Sequence, residues 1–246
     1  MSKRIVFGVR PISELVRVRA GDISVIYVAD GTRGPEIEAV VQAAKERRVS
    51  VEFRPRRMVA ELAPGAVHQG IVAIAGRFRY ATIEDLLAVA KEAGQPALLV
   101  LLDGITDPHN LGAIARSVEV LGAHGVVIPS RGSASVTPGA VKASAGATER
   151  VAIAEVSNLL KAIDALREAG VRVLGAGAGD GTRLDQVDFK QATGLVVGAE
   201  GKGMREAVAR RCDGLFHIPQ RGEVSSLNAS VAAAIALYEA ARQRGW

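Results

Sequence analysis

Cysteine is nearly absent from the 246 residues: Cys212 is the only one. An internal disulfide and a cluster of thiolate metal ligands are thereby excluded. The four histidines, His68, His109, His124 and His217, are scattered and show none of the close helical spacing of a zinc site, so no metal is expected. Aromatic residues make up 4% of the chain. That is too few for the kind of sheet that stacks RNA bases on paired Phe and Tyr, so any contact with nucleic acid is expected to rest on charge and shape. Long apolar runs are missing as well. The longest, residues 97–102 and 231–238, fall well short of the roughly 18 residues a membrane span requires. At the N-terminus, Ile5, Val6 and Phe7 are too short a run for a secretory h-region. The expectation is a soluble, cytoplasmic protein with neither a membrane nor a metal among its partners.

What is present is apolar mass and an uneven charge. Hydrophobic residues are 48% of the chain, enough for a packed core and incompatible with disorder. The net charge of +5 is modest, but residues 1–80 carry 14 Lys+Arg against 8 Asp+Glu, net +6, while residues 81–246 carry 17 against 18, net −1. The basic surplus therefore belongs to the first third, which points to an acidic partner for that part of the chain.

Residues 1–76 read as a small α/β domain. Short β-rich runs at 24–29, 49–53 and 70–75 are separated by a helix starting at Pro35, with acids in its first turn and bases in its last. Ile12, Leu15 and Val16 predict an earlier helix. Arg54-Pro55-Arg56-Arg57 is either a solvated turn or an edge that meets phosphate. Residues 77–81 form the linker. From 82 to 246 the chain alternates regularly: a helix capped by Thr82, strand 97–102, helix 111–121, strand 125–128, helix 138–145, strand 151–156, helix 157–169, strand 171–175, strand 194–198, helix 204–210, strand 215–218 and a last helix 226–242. Near-continuous Val/Ile/Leu strands alternating with helices predict an α/β fold with a parallel sheet covered on both faces, whose ligands bind beyond the carboxyl ends of the strands.

The glycine-rich stretches fail the nucleotide fingerprints. Residues 175–181 do not complete G-x-G-x-x-G, and Gly201-Lys202-Gly203 lacks the G-K-[ST] ending of a P-loop, which leaves a nicotinamide-dependent dehydrogenase remote. No G-x-S-x-G elbow occurs. Three segments remain in which a strand runs into a polar, glycine-bearing loop. The first carries Asn110, placed as a helix N-cap, and Arg116, which points about 200° away from Ile114 on the helical wheel. The second is Val196-Val197-Gly198-Ala199-Glu200-Gly201. The third runs from Ile218-Pro219 to Ser226-Leu227-Asn228-Ala229-Ser230. Each alone reads equally well as a capped helix or a turn.

Together and in this order, the N-x-x-x-x-x-R, V-x-G-x-E-G, I-P and S-L-N-x-S-x-A elements resemble the motifs of the SpoU/TrmH (SPOUT) family of RNA ribose 2′-O-methyltransferases. The resemblance covers roughly residues 97–242. Phe7-Gly8-Val9-Arg10-Pro11-Ile12 and Val67-His68-Gln69-Gly70 resemble the accessory domain of the branch that modifies a guanosine of large-subunit (23S) ribosomal RNA. The resemblance implies a C-terminal α/β domain threaded into a trefoil knot, a small N-terminal α/β domain that binds RNA, and a homodimer with its active sites near the subunit interface. It also implies an S-adenosylmethionine pocket built from Gly175, Ala176, Gly198, Ile218 and Leu227.

The catalytic residues implied are Arg116, Asn110, Glu200, Ser226 and Asn228. The family assigns Arg116 to activation of the 2′-hydroxyl. A guanidinium with a pKa above about 12 is a poor base, so a role in stabilising the developing alkoxide and gripping the adjacent phosphate is favoured. Asn110 would orient Arg116 or the ribose, Glu200 and Ser226 would shape the pocket, and Asn228 would hold the loop. Arg10, Arg54, Arg56, Arg57, His68 and Gln69 are the expected RNA contacts. Methylation of transfer RNA or another ribosomal site, and a non-catalytic RNA-binding or ribosome-assembly protein on the same fold, stay as alternatives.

Overall fold

A computed structural model describes residues 3–177, 179, 181–223 and 226–245. The chain builds two sheets. The first contains β1 (Arg4–Phe7), β2 (Ile23–Ala29), β3 (Val51–Arg54) and β4 (Ile71–Ala75) in the order β1-β4-β2-β3, with β4 antiparallel to both neighbours and β2 parallel to β3. Helices α1 (Val9–Arg19) and α2 (Pro35–Glu46) cover one face, where Ile12, Leu15 and Val16 meet Ile26, Val28 and Val40. Helix α3 (Arg56–Leu62) covers the other through Val59. The expected strands and the first two helices are present. β1 and α3 were not anticipated. The Arg54-Pro55-Arg56-Arg57 run is not a plain turn: it ends β3 and opens α3 after Pro55, with all four residues exposed. Its charges hid a helix that buries a single residue and so has no apolar period to read.

The second sheet is parallel throughout, in the order β7-β6-β5-β10-β8-β11-β9. Its strands are β5 (Leu98–Asp103), β6 (Gly125–Pro129), β7 (Ile153–Val156), β8 (Arg172–Ala176), β9 (Thr182–Arg183), β10 (Thr193–Gly198) and β11 (Gly214–His217). All six residues of β5 are buried, as a strand covered on both faces requires. One layer of helices is α4 (Ile83–Glu92) and α7 (Leu159–Glu168); the other includes α5 (Pro108–Val120) and α9 (Ala229–Gln243). Thr82 caps α4 in a reciprocal pair with Asp85, as its sequence predicts. The helix expected over 204–210 shrinks to α8 (Glu206–Ala209), and the last helix begins three residues later than 226. The order in which the chain adds strands reverses between β5 and β10, and their carboxyl ends, with those of β8 and β11, frame the candidate site.

The two sheets are held together by packed contacts rather than by the connecting segment alone. Helix α6 (Pro138–Ala143) and the turn Ala147–Glu149 lie against α1 and β1, and Val141 joins the N-terminal core. Arg4 makes a two-pronged bond to Glu149 at 2.7 and 2.8 Å; the carboxylate is fully buried. Gly146, at φ +92°, is needed here because a Cβ would sit 2.9 Å from Glu14 Cβ and 3.1 Å from Pro11 Cα. Within the connection, Phe78 lies under the guanidinium groups of Arg4 and Arg19, and the Tyr80 hydroxyl accepts from Val136 N at 3.0 Å.

Candidate active site

At the carboxyl end of β5, the buried Asp103 carboxylate accepts from Arg205 N and Arg205 Nε, both at 2.7 Å. This bond ties β5 to the loop that follows β10. Helix α5 then starts with Asp107 as its cap, accepting from His109 N at 2.9 Å, and Pro108 in the first helical position. Asn110 is therefore not the N-cap. It sits in the first turn, where its side chain is free to leave the helix. Asn110 Nδ2 donates to Glu200 Oε1 at 3.0 Å, and Asn228 Nδ2 donates to Asn110 Oδ1 at 3.0 Å and also to Glu200 Oε1. Asn228 keeps its own oxygen for α9, accepting from Ser230 N at 2.9 Å and Val231 N at 3.3 Å as that helix's cap. Residues 90 and 118 positions apart in sequence thus close into one polar cluster.

Beside it lies a cavity of about 260 Å³, walled by Ala176 and Gly177 where β8 ends, by residues of the 198–203 turn where β10 ends, and by Ile218, Ser226 and Leu227. The loop is a tight turn in which Ala199 and Gly203 exchange backbone bonds of 3.1 and 2.8 Å. Gly198 is indispensable to it, since a Cβ there would lie 2.2 Å from the Gly203 carbonyl carbon and from Met204 N. Of the five expected cofactor residues, Ala176, Gly198, Ile218 and Leu227 line this cavity. Gly175 does not. It is buried within β8, its Cα facing Met204 and Leu215, so it supports the wall rather than forming it. Glu200 and Ser226 both line the space. Apolar walls at Ile218, Leu227 and Phe216, with a carboxylate, a hydroxyl and loop backbone at the rim, suit a ligand that combines a flat ring with a charged polar tail. Among the described residues no cluster of metal ligands occurs, and no helix is long and apolar enough to cross a membrane.

The SpoU rRNA methylase family model matches residues 97–238, and a model for the substrate-binding domain of RNA 2′-O ribose methyltransferases matches residues 5–81. The chain belongs to the SpoU family. It is 44% identical over 241 residues to an uncharacterized tRNA/rRNA methyltransferase of Mycolicibacterium smegmatis, covering 98% of this chain and 76% of that protein. It is 37% identical over 219 residues to YacO of Bacillus subtilis, named as a TrmH-family tRNA/rRNA methyltransferase, covering 89% and 88%. Among solved structures it is similar to the SpoU methyltransferase AviRb of Streptomyces viridochromogenes in complex with AdoMet, with a TM-score of 0.79 and 29% identity over 98% of this chain and 90% of that one.

In this SpoU chain the cluster does not include Arg116. Six residues beyond Asn110, it lies about 9 Å further along α5 and about 120° around it. It is exposed, forms no ion pair among the described residues and does not line the cavity. Of the two roles expected for Asn110, orienting Arg116 or orienting the ribose, the first is not seen: Asn110 is bonded to Glu200 and Asn228, and Arg116 lies too far along the helix. Arg116 instead shares the outer face of α5 with Ala113 and Val120, beside an apolar groove between α5 and α9 that Ala113, Ser117, Leu121, Val231, Ala234 and Tyr238 line.

The expected RNA contacts gather at one end of the first sheet, because β1, β2 and β3 all finish there and β4 begins there. Arg10 starts α1, Arg54 ends β3, Arg56 and Arg57 open α3, and His68 and Gln69 precede β4. Arg54 pairs with Glu52 and Arg57 with Glu61, whereas Arg10 and Arg56 make no ion pair among the described residues. His68 Nδ1 accepts from Gly70 N at 3.1 Å, and Gln69 Oε1 accepts from Val9 N at 3.2 Å. Asp103 and Arg205 escaped the sequence reading because their pairing spans 102 positions. Their only sequence signal is an acidic residue closing an otherwise apolar strand.

Proposed function

We propose that this chain transfers a methyl group from S-adenosylmethionine to the ribose 2′-hydroxyl of a guanosine in large-subunit ribosomal RNA. What carries the reading is that the second and third family segments wall one cavity at the carboxyl ends of β8, β10 and β11, and that the Asn110–Glu200 bond ties the first segment to its rim. When bound, S-adenosylmethionine supplies an electrophilic methyl, so the protein needs to position and activate one oxygen and needs no covalent intermediate of its own. Ala176, Gly198, Ile218 and Leu227 would hold the cofactor, with Glu200 and Ser226 at its polar side. The Asn110–Glu200–Asn228 cluster fixes the rim, so the donors and acceptors there are set before RNA arrives. Arg116 grips the phosphate beside the target ribose and stabilises negative charge on its oxygen, with its guanidinium as a two-pronged donor.

Two features favour a homodimer. The groove between α5 and α9 exposes apolar side chains, with Val231 45% and Tyr238 57% exposed, and a second copy is the occupant the family implies. Arg116 precedes Ser117 and follows Ala113 by one turn of α5, and both of those residues line the groove, so a partner seated there would bring its surface toward the residue that the cavity of one chain leaves out. The choice of a ribosomal substrate rests on the His68-Gln69-Gly70 element, which resembles that of the large-subunit branch, within a domain whose residues 5–81 match the substrate-binding model.

Purified protein incubated with labelled S-adenosylmethionine and with large-subunit rRNA or tRNA lacking the modification tests the reading. Label is expected in rRNA at one guanosine 2′-O-methyl. Label confined to tRNA, or to a base, overturns the substrate or the chemistry. No label in any RNA favours a binding protein on the same fold.

A further inference from the structure

Where the two domains meet, a cleft of about 300 Å³ is lined by Val9, Arg10, Glu36, Gln69, Lys142 and Ala145. Lys142 belongs to α6 of the C-terminal domain, yet its ammonium reaches across to Val67 O at 3.0 Å and Gln69 Oε1 at 3.2 Å, and lies 5.9 Å from the Phe7 ring. Two of these three neighbours are neutral acceptors and the third is a ring face. Lys142 forms no ion pair among the described residues, so its charge is left uncompensated at a junction where an ion pair would be the simple way to join domains. Arg10, on the N-terminal side of the cleft, is exposed and forms none either. The backbone is shaped around this contact: Gln69 takes a left-handed conformation at φ +55°, and at Gly8 a Cβ would fall 2.8 Å from Lys142 Nζ and 3.0 Å from Gln69 Oε1. Glu36 is the one carboxylate in the lining.

We infer that this cleft is a binding site for a single RNA backbone phosphate, held by Arg10 from one domain and Lys142 from the other. Two cations and one anion leave a local charge of +1, which matches the single negative charge of a phosphodiester. The cleft adjoins the end of the first sheet where Arg54, Arg56 and His68 lie, and α6 is reached by the loop that leaves the carboxyl end of β6, the neighbour of β5 in the second sheet. A strand that enters over the N-terminal domain is therefore gripped at the junction before it reaches the cavity. The site rests on the RNA-directed reading above. It adds a contact made by the domain that carries the chemistry, and it makes the docked arrangement of the two domains part of RNA recognition.

The test measures binding of the full chain to a labelled large-subunit rRNA fragment over a series of salt concentrations, with methyl transfer and cofactor binding measured in parallel. Each lost phosphate contact lowers the slope of log affinity against log salt by about 0.7–0.9. Arg10→Gln and Lys142→Gln are each expected to lower it by about that much and to weaken binding at low salt roughly tenfold. Lys142→Arg should retain the wild-type slope, and Glu36→Gln should tighten binding. S-adenosylmethionine affinity is unchanged in all four. Slopes that stay at the wild-type value in both Arg10→Gln and Lys142→Gln overturn the site, and do so even if Lys142→Gln also lowers the unfolding temperature, because Arg10 makes no interdomain bond among the described residues. Unchanged slopes in variants of an enzyme that still methylates RNA leave the proposed function standing. Lowered slopes without any methyl transfer by the wild type leave the site standing and remove the function. A wild type that binds no RNA removes both.

Discussion

Asn110, Glu200 and Asn228 are each committed to the others, and Asp103 to Arg205, so the polar groups of the C-terminal site are arranged in advance by bonds within the protein. At the matching end of the N-terminal sheet, Arg54 and Arg57 pair with Glu52 and Glu61, but other cations are left unpaired. Arg10 and Arg56 make no ion pair among the described residues, and Lys142 at the junction meets neutral oxygens. The contrast shows two ways of using polar residues on one chain. A small ligand and one ribose call for fixed geometry, where a loose site loses rate. A long polyanion calls for uncompensated positive charge, which acts at a distance and tolerates small displacements. The net +6 of residues 1–80 beside the −1 of residues 81–246 is the same division seen in composition.

The largest effect expected on the C-terminal side of this contrast comes from Arg116→Ala. It should abolish methyl transfer while leaving S-adenosylmethionine affinity within a few-fold, read by isothermal calorimetry beside label incorporation. Near-normal turnover would remove Arg116 from the mechanism. Gly198→Ala follows. A Cβ at 2.2 Å from the Gly203 carbonyl carbon forces the 198–203 turn open, so cofactor affinity should fall at least tenfold, with RNA affinity unchanged. That pairing of results would separate the two regions directly.

The comparison also has a seam, and Arg4→Met would break it. Removing Arg4 leaves the Glu149 carboxylate buried without its partner, at a cost of about 3–5 kcal/mol, seen as a fall in the denaturant midpoint. Adding Glu149→Gln to that variant should restore part of the loss. A smaller effect belongs to His124. Burial first, then the charge of Arg244, holds its imidazole below the ordinary value, while its Nδ1 accepts from Leu98 N at 2.9 Å. With the folded value depressed, the unfolded chain binds the extra proton. This contribution to stability is therefore complete above about pH 6.5 and is lost as pH falls below it. Urea midpoints between pH 7.5 and 5 should fall less steeply in His124→Asn than in the wild type.

Much of the fold is legible in the chain. The buried parallel strands announce themselves as Val/Ile/Leu runs, and Thr82 with Asp85 marks the start of α4 before any coordinates are known. Elements that bury little are the ones that are missed or overdrawn: α3 hides behind its arginines, and the helix predicted over 204–210 is only the four residues of α8. At the site, motif order brings Asn110, Glu200 and Asn228 to notice, but local rules misplace Asn110 as a cap. Asp107 wins that position because Pro108 after it fits the first helical turn. Gly175 is similarly one residue short of the cavity it was expected to line. Lys142 and the Arg4–Glu149 pair have no local signal at all, since what defines each is a partner 73 or more positions away.

The division of labour between the two domains is tested most directly by a chain lacking residues 1–76 and carrying Glu149→Gln, so that no unpartnered carboxylate is left in the exposed face. Its S-adenosylmethionine affinity and its methylation of large-subunit rRNA are measured against the full chain. The account predicts cofactor binding within a few-fold and loss of methyl transfer to rRNA. Methyl transfer at the full-length rate would contradict it.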